Sequence, residues 1–328
     1  MPITRLSSGG IIANYKCPAA CGHCLYGCSP DMEPGYIDET VAARLCEKLR
    51  SMGCHSLHIG GGEPFLNIKG LIRLIKTIQA NGLEIDYIET NAAWITDDDD
   101  RNRQILRDVT DVGGDCIMVS ADPFHIEFIP FWKPKKLIEL LKETDTPHFI
   151  WQERYLTLLG KLDPKKTYDS KALCEAVGYD VILKCAGEYG MGFNGRALNL
   201  LRKYGKKMPL PNVTEPCAEL KRTSHFHVDF LGRYIPPGCT GLGILAEDLD
   251  KELDPAKYPV ISRLLSGGVK CLLEYAKQRG YQPSPTGSMP DGYVSKCELC
   301  FDIRRFLIAS DRQAHPDLTP ESFYKQNF

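Results

Sequence analysis

Strand-like and helix-like runs alternate along the first two thirds of the chain, and that alternation restricts the fold more than any single residue does. Short apolar or β-branched segments at 10–15, 55–60, 83–90, 115–120, 147–151 and 179–185 read as strands. Between the first two, Asp38 is an N-cap ahead of Glu39 and Thr40. Val41, Leu45, Leu49 and Met52 then recur at helical spacing, and Gly53 supplies the stop. Further helical stretches follow near 68–80, 101–110, 134–143 and 194–204. The carboxylate run Asp97 to Asp100 reads as a solvated loop entering a helix N-terminus, where negative charge is favoured. Strands that alternate with helices pair in parallel through right-handed crossovers. Six strand signals predict an α/β fold with a partial (β/α)6 barrel of the TIM type over residues 1–205. Beyond it, Pro209, Pro211, Pro216, Pro236 and Pro237 break regular elements and predict a smaller α+β region over 206–328.

Charge excludes some partners. Forty Lys and Arg against 42 Asp and Glu leave a formal charge of −2, so no uniform attraction to nucleic acid or to an anionic membrane is expected. No apolar run approaches the roughly 18 residues of a spanning helix, and Met1 to Ala13 lacks the layout of a secretory signal. A cytoplasmic protein is expected. With 16 residues ahead of Cys17, a recognition domain fused in front of the barrel is not expected. The chain nevertheless carries 14 cysteines, a number that in a reducing compartment points to metal binding or catalysis rather than disulfides.

Cys17, Cys21 and Cys24 lie in CPAACGHC, immediately after the first strand. At 14 cysteines in 328 residues, chance would produce this C-x3-C-x2-C triplet only about 0.03 times. Three thiolates on a short loop can hold three irons of a [4Fe–4S] cube and leave the fourth iron open. A structural zinc on the same three residues with His23 or Cys28 is the alternative, although Gly27 and Pro30 are expected to carry Cys28 beyond the compact loop. The second strand runs into Gly60-Gly61-Gly62-Glu63-Pro64, where glycine lets the backbone approach a ligand and Glu63 offers an acceptor for an ammonium. Thr90 and Asn91 close the third strand, and Ser120, Asp122 and His125 follow the fourth. A parallel barrel gathers all these strand ends on its C-terminal face.

The cysteine loop together with the Gly-Gly-Glu-Pro segment resembles the radical S-adenosylmethionine superfamily. The resemblance implies that Cys17, Cys21 and Cys24 bind a site-differentiated [4Fe–4S] cluster. It implies that Gly61, Gly62, Glu63 and Pro64 hold the methionine end of S-adenosylmethionine, and that Thr90, Asn91, Ser120 and Asp122 contact the rest of the cofactor or the substrate. The implied activity is reductive cleavage of S-adenosylmethionine to a 5′-deoxyadenosyl radical that abstracts hydrogen from a small molecule or peptide. An external one-electron reductant such as flavodoxin or ferredoxin would serve it.

Farther on, Cys217 and Cys239 bracket a hairpin-like stretch containing HFHVD and Gly232, and Cys297 and Cys300 form a C-x2-C that opens the last long helix. This layout resembles the twitch domain, the shorter relative of the SPASM domain. It implies an auxiliary [4Fe–4S] cluster that accepts an electron or positions the substrate, with a structural zinc as the alternative. Cys46, Cys54, Cys116, Cys174 and Cys271 read as core residues. Cys185, at the end of the sixth strand signal, is a candidate hydrogen-atom donor or a packing residue, with Glu188 and Asp122 as further candidate catalytic groups. The rival to an enzyme is a non-catalytic iron–sulfur electron carrier or a zinc-stabilised scaffold.

Overall fold

The computed structural model describes residues 3–188, 194–283 and 292–326. Strand β1 (Gly9–Ile12) leads through the cysteine loop to α1 (Glu39–Ser51), then β2 (Ser56–Gly60), α2 (Ile68–Ala80), β3 (Glu84–Thr90), α3 (Asp99–Thr110), β4 (Ile117–Ser120), α4 (Trp132–Glu143) and β5 (His148–Trp151). The caps explain the boundaries. Asp38 accepts from Thr40 N at the start of α1, Asn67 from Gly70 N at α2, and Asp98 from Arg101 N at α3, whose first turn holds Asp99 and Asp100. Each helix turns an apolar stripe to the sheet, as Ala42, Leu45, Cys46 and Leu49 do on α1. Cys54 is fully buried like Cys46, whereas Cys116, Cys174 and Cys271 are half-buried.

The sixth expected strand is a helix. After the short α5 (Leu156–Leu159) and α6 (Ser170–Val177), residues 179–185 fall in α7 (Val181–Glu188), with α8 (Ala197–Tyr204) following. Asp180 caps α7 by accepting from Leu183 N at 2.8 Å, and Val181, Ile182 and Cys185 bury at helical spacing. A seven-residue segment with the apolar run Val181 to Leu183 does not separate strand from buried helix by periodicity, and here the capping aspartate decides it.

The sixth parallel strand comes instead from the HFHVD hairpin. Strands β6 (Phe226–Asp229), β7 (Arg233–Ile235) and β8 (Ile244–Leu245) extend a single open sheet of order β5-β4-β3-β2-β1-β6-β7-β8. The six strands β1 to β6 are parallel to their neighbours, with Gly9 to Ile12 of β1 in register with Phe226 to Asp229 of β6. The turn at Gly232, φ +80, then reverses the chain into antiparallel β7 and β8. The α/β architecture is therefore a partial barrel that stays open, its last parallel strand supplied by the C-terminal region.

Helix α9 (Pro259–Lys277), kinked at Gly267 and Gly268, packs on α10 (Lys296–Ser310), and α11 (Glu321–Tyr324) closes the described chain. Among the described residues no helix is long and apolar enough to cross a membrane. Buried Asp317 caps α9 by accepting from the N–H groups of Val260 and Ile261, both at 2.8 Å. Burial raises its carboxyl from 3.8 to about 6, so between those values the folded chain holds a proton that the unfolded chain has released. Stability from this group is greatest below pH 3.8 and is lost as pH rises to 6, by up to about 3 kcal/mol. Urea unfolding of Asp317→Asn at pH 4, 5 and 6 should show a flatter slope than wild type; an unchanged slope would mean that Asp317 ionises normally.

Candidate functional site

The ends of the parallel strands surround one cavity of about 410 Å³. Cys17, Cys21 and Cys24 line it from the loop after β1, Gly61, Gly62 and Pro64 from the end of β2, and Thr90, Asn91 and Ser120 from the ends of β3 and β4. Deeper in, the inward side chains of β3 to β6 supply Tyr87, Glu89, Met118, Trp151 and His227.

The cysteine loop is held from several directions. Its ends are joined by Cys17 N donating to Ser29 O at 3.2 Å and by a bridge between Lys16 and Ser29. Asn91 Nδ2 and Ala19 N donate to the Cys17 sulfur at 3.3 and 3.4 Å, contacts suited to a thiolate. Arg196, which the sequence did not single out, donates to the carbonyls of Cys21 at 3.0 Å, Gly27 at 2.9 Å and Cys28. A guanidinium is the group for such a task, since its donors spread in a fixed fork.

Cys28 does not lie beyond the loop as expected. Gly27, φ +66, turns the chain back so that the Cys28 thiol donates to the Cys24 sulfur, which brings the Cys24 pKa down to about 6. Cys28 also lines the cavity, a fourth thiol in the same cradle, buried like Cys17 and Cys21. By contrast, burial pushes Cys17 up to about 12 and raises Cys21, so neither ionises readily until a metal compensates the charge.

The glycine segment is shaped by close packing. Gly61 has φ +143, and a Cβ there would come within 2.7 Å of Asn14 O; one on Gly62 would collide with the Lys16 carbonyl. The carbonyl oxygens of Gly61 and Gly62 accept no bond among the described residues, whereas that of Gly60 accepts from Ala13 N. Both residues line the cavity and their carbonyls are left without a donor, as binding an ammonium requires.

Glu63 has a different task from the one expected. Its carboxylate accepts from Phe65 N at 3.1 Å, Thr90 Oγ1 at 2.9 Å and Asn91 N at 2.8 Å, and the residue is fully buried. Burial raises its pKa to about 7 against these donors. Glu63 thus ties the end of β2 to the end of β3 and sets Asn91 against Cys17. At pH 8, Glu63→Gln should cost the metal-free protein about 1–3 kcal/mol, seen as a lower thermal midpoint, because an amide NH2 must then face an N–H or O–H donor. A variant with an unchanged midpoint and weakened cofactor binding would restore the direct contact.

Asp122 is fully buried and its Oδ1 accepts from Phe124 N at 2.9 Å and lies 3.0 Å from His125 Nδ1. Burial opposes ionisation, yet His125 beside it holds the carboxyl down to about 2. Oδ2 has no hydrogen-bond partner among the described residues. Cys185 and Glu188 are not brought to the cavity. Because α7 is a helix, Cys185 is buried beside Tyr155 and Leu159, its thiol pushed up to about 12 by burial, and Glu188 accepts from Tyr155 Oη at 2.6 Å. A thiol so enclosed is a packing residue in this structure.

Cys217, Cys239, Cys297 and Cys300 form a second group. Cys217 precedes a 3-10 turn, Cys239 follows β7, and the other two occupy the first turns of α10; burial raises all four thiols, and the charge of neighbouring cysteines adds to the rise at Cys217, Cys239 and Cys297. The buried Arg304, donating to Thr240 O at 2.7 Å and Tyr324 Oη at 3.1 Å, sits against Cys300 and Cys239 as a fixed positive charge. Spacing bears on the metal. Two sulfurs on one zinc are at most about 4.6 Å apart. Among the described residues, only His23, Asp122 and His125 bring three ligand atoms within 4.8 Å of one another, and no three cysteine sulfurs do.

Residues 11–122 match the family model of a 4Fe–4S single cluster domain. That match covers the cysteine loop, the glycine segment and the ends of β3 and β4. Residues 11–122 are thus similar to an iron–sulfur domain that holds one cluster. A 128-residue segment is 27% identical to YydG of Bacillus subtilis (strain 168), named as a peptide biosynthesis protein, and the chain spans about two fifths of that relative, 38% of each. Solved structures similar to this chain include anSMEcpe with bound AdoMet, at 15% identity and a TM-score of 0.46 over 98% of this chain and 97% of that one. Another is Streptococcus suis SuiB bound to S-adenosylmethionine, at 14% identity and a TM-score of 0.38 over 90% and 77%.

Proposed function

We propose that the chain is a radical S-adenosylmethionine enzyme acting on a peptide or a small molecule held in the barrel cavity. The reading is carried by one observation: a cavity of about 410 Å³ is lined at once by three cysteines, the glycine segment and the inward side chains of β3 to β6. When bound and reduced, the cluster and S-adenosylmethionine together supply a 5′-deoxyadenosyl radical that abstracts hydrogen. Cys17, Cys21 and Cys24 would ligate the cluster, the free carbonyls of Gly61 and Gly62 would take the cofactor's ammonium, and Asn91 and Ser120 would meet its polar groups. The residues of β3 to β6 exclude water and hold the substrate against the reactive carbon.

Cys217, Cys239, Cys297 and Cys300 would hold an auxiliary cluster that accepts an electron or positions the substrate. The buried Arg304, a fixed positive charge beside Cys300 and Cys239, supports a group that carries several thiolates there. YydG's name supports a peptide substrate. Fourteen free cysteines suit a reducing, cytosolic compartment with flavodoxin or ferredoxin as the electron source. Anaerobically reconstituted, dithionite-reduced protein should convert S-adenosylmethionine to 5′-deoxyadenosine. No 5′-deoxyadenosine from protein with full iron content would overturn the proposal.

A further inference from the structure

We propose that Glu89 forms a cation-binding subsite in the barrel, which takes a primary ammonium or guanidinium group of the substrate. The inference rests on the radical reading only for the word substrate. Glu89 is the last inward residue of β3 before the Thr90-Asn91 strand end, and its side chain, 34% exposed, opens into the cavity. Among the described residues it accepts no hydrogen bond, and its one ion-pair neighbour is His58, at 3.7 Å. That histidine cannot supply a counter-charge. Burial and the neighbouring His225 hold its pKa down to about 4, and its Nε2 lies 3.0 Å from His227 Nε2, an arrangement in which at least one of the two rings is neutral.

The other cations of the cavity are already matched. Arg196 is spread over backbone carbonyls of the cysteine loop, and His125 pairs with Asp122 at 3.0 Å. A carboxylate facing a confined space without a directly paired counter-ion is costly, and burial raises Glu89 to about 7 although the charge of His125 opposes the rise. Room has been cleared for it. Gly60 lacks a positive φ, so backbone conformation does not require glycine there; a Cβ at this position would lie 2.7 Å from Glu89 Oε2. The surrounding walls are aromatic, with Tyr87, Tyr26 and Trp151 lining the same cavity, and ring faces favour a cation. Two cations could meet this carboxylate, the substrate's and the α-ammonium of S-adenosylmethionine. The free carbonyls of Gly61 and Gly62 already offer the cofactor its acceptors, which leaves Glu89 to the substrate.

The test uses reconstituted full-length protein saturated with S-adenosylmethionine and left unreduced, titrated with N-acetyl-lysine methylamide and its uncharged counterpart N-acetyl-norleucine methylamide. Wild type should bind the lysine probe at least tenfold more tightly. Glu89→Gln should abolish that preference while leaving S-adenosylmethionine affinity within twofold, and Glu89→Asp should keep part of it. Equal binding of the two probes to wild type, or binding of neither, would overturn the subsite whatever the variants do. A Glu89→Gln protein with weakened S-adenosylmethionine binding and unchanged probe preference would assign the carboxylate to the cofactor and overturn it equally. Iron content guards against misfolding, and 5′-deoxyadenosine formation by reduced wild type is scored separately, so loss of the radical reading and loss of the subsite are distinct results.

Discussion

Alanine at Cys17, Cys21 and Cys24 together is expected to leave about four of about eight irons in the reconstituted protein and to abolish 5′-deoxyadenosine formation. The three sulfurs sit on a loop clamped by Arg196, Asn91 and the Cys17–Ser29 closure, so the cradle exists before metal arrives. Removing them leaves Cys28 alone in that cradle, and one thiol cannot retain a cube. The single variant Cys28→Ala is the informative companion, since it should keep its full iron. Retention of eight irons by the triple variant, or loss of four by Cys28→Ala alone, would sink the ligand assignment.

The second large effect is expected at the other end of the chain. Replacing Cys297 and Cys300 with alanine leaves two of the four proposed thiolates, too few to hold a cube securely, while the cavity residues are untouched. About four irons should be lost, uncoupled cleavage of S-adenosylmethionine should persist, and turnover of the true substrate should stop. The variant should also melt earlier than wild type. Both cysteines open α10, the helix that carries buried Arg304, and that guanidinium would then face Cys239 and the Thr240 carbonyl without the metal-bound thiolates it complements. Zinc lost with iron unchanged would identify a zinc site and remove the electron-acceptor role.

Much of this architecture is legible in the sequence, because strand and helix signals with strong caps are local. Asp38, Asn67 and Asp98 each begin a helix as residues of their type should, and the expected boundaries of α2, 68–80, are those observed. The cysteine loop and the glycine segment are equally plain, since both are contiguous in the chain. What stays hidden is what folding brings together from afar. Arg196 reaches the cysteine loop across 175 positions, and no pattern around it marks it. Glu63 was legible as an acceptor but not as one whose donors are Thr90 and Asn91, 27 and 28 residues away. The run at 179–185 misled because a short apolar stretch is compatible with either period, and only the capping role of Asp180 breaks the tie. Cys28 misled for a different reason: a glycine with positive φ reverses a chain, and a reversal can return a residue to its starting point as easily as carry it away.

The pairing of β1 with β6 has a consequence for how this chain can be divided. Phe226 to Asp229 cover the whole length of Gly9 to Ile12, and Tyr15 Oη donates to Asp229 at 3.0 Å just beyond. A truncation that ends before Phe226 would therefore bare a fully buried strand edge directly beside the cysteine loop, with its N–H and C=O groups open to any other chain. Such a fragment would keep every residue that matches the iron–sulfur family and still be prone to self-association. The hairpin acts as the seam that covers the open strand edge of the N-terminal half, which binds the inheritance of the two cysteine sets together regardless of the chemistry each performs.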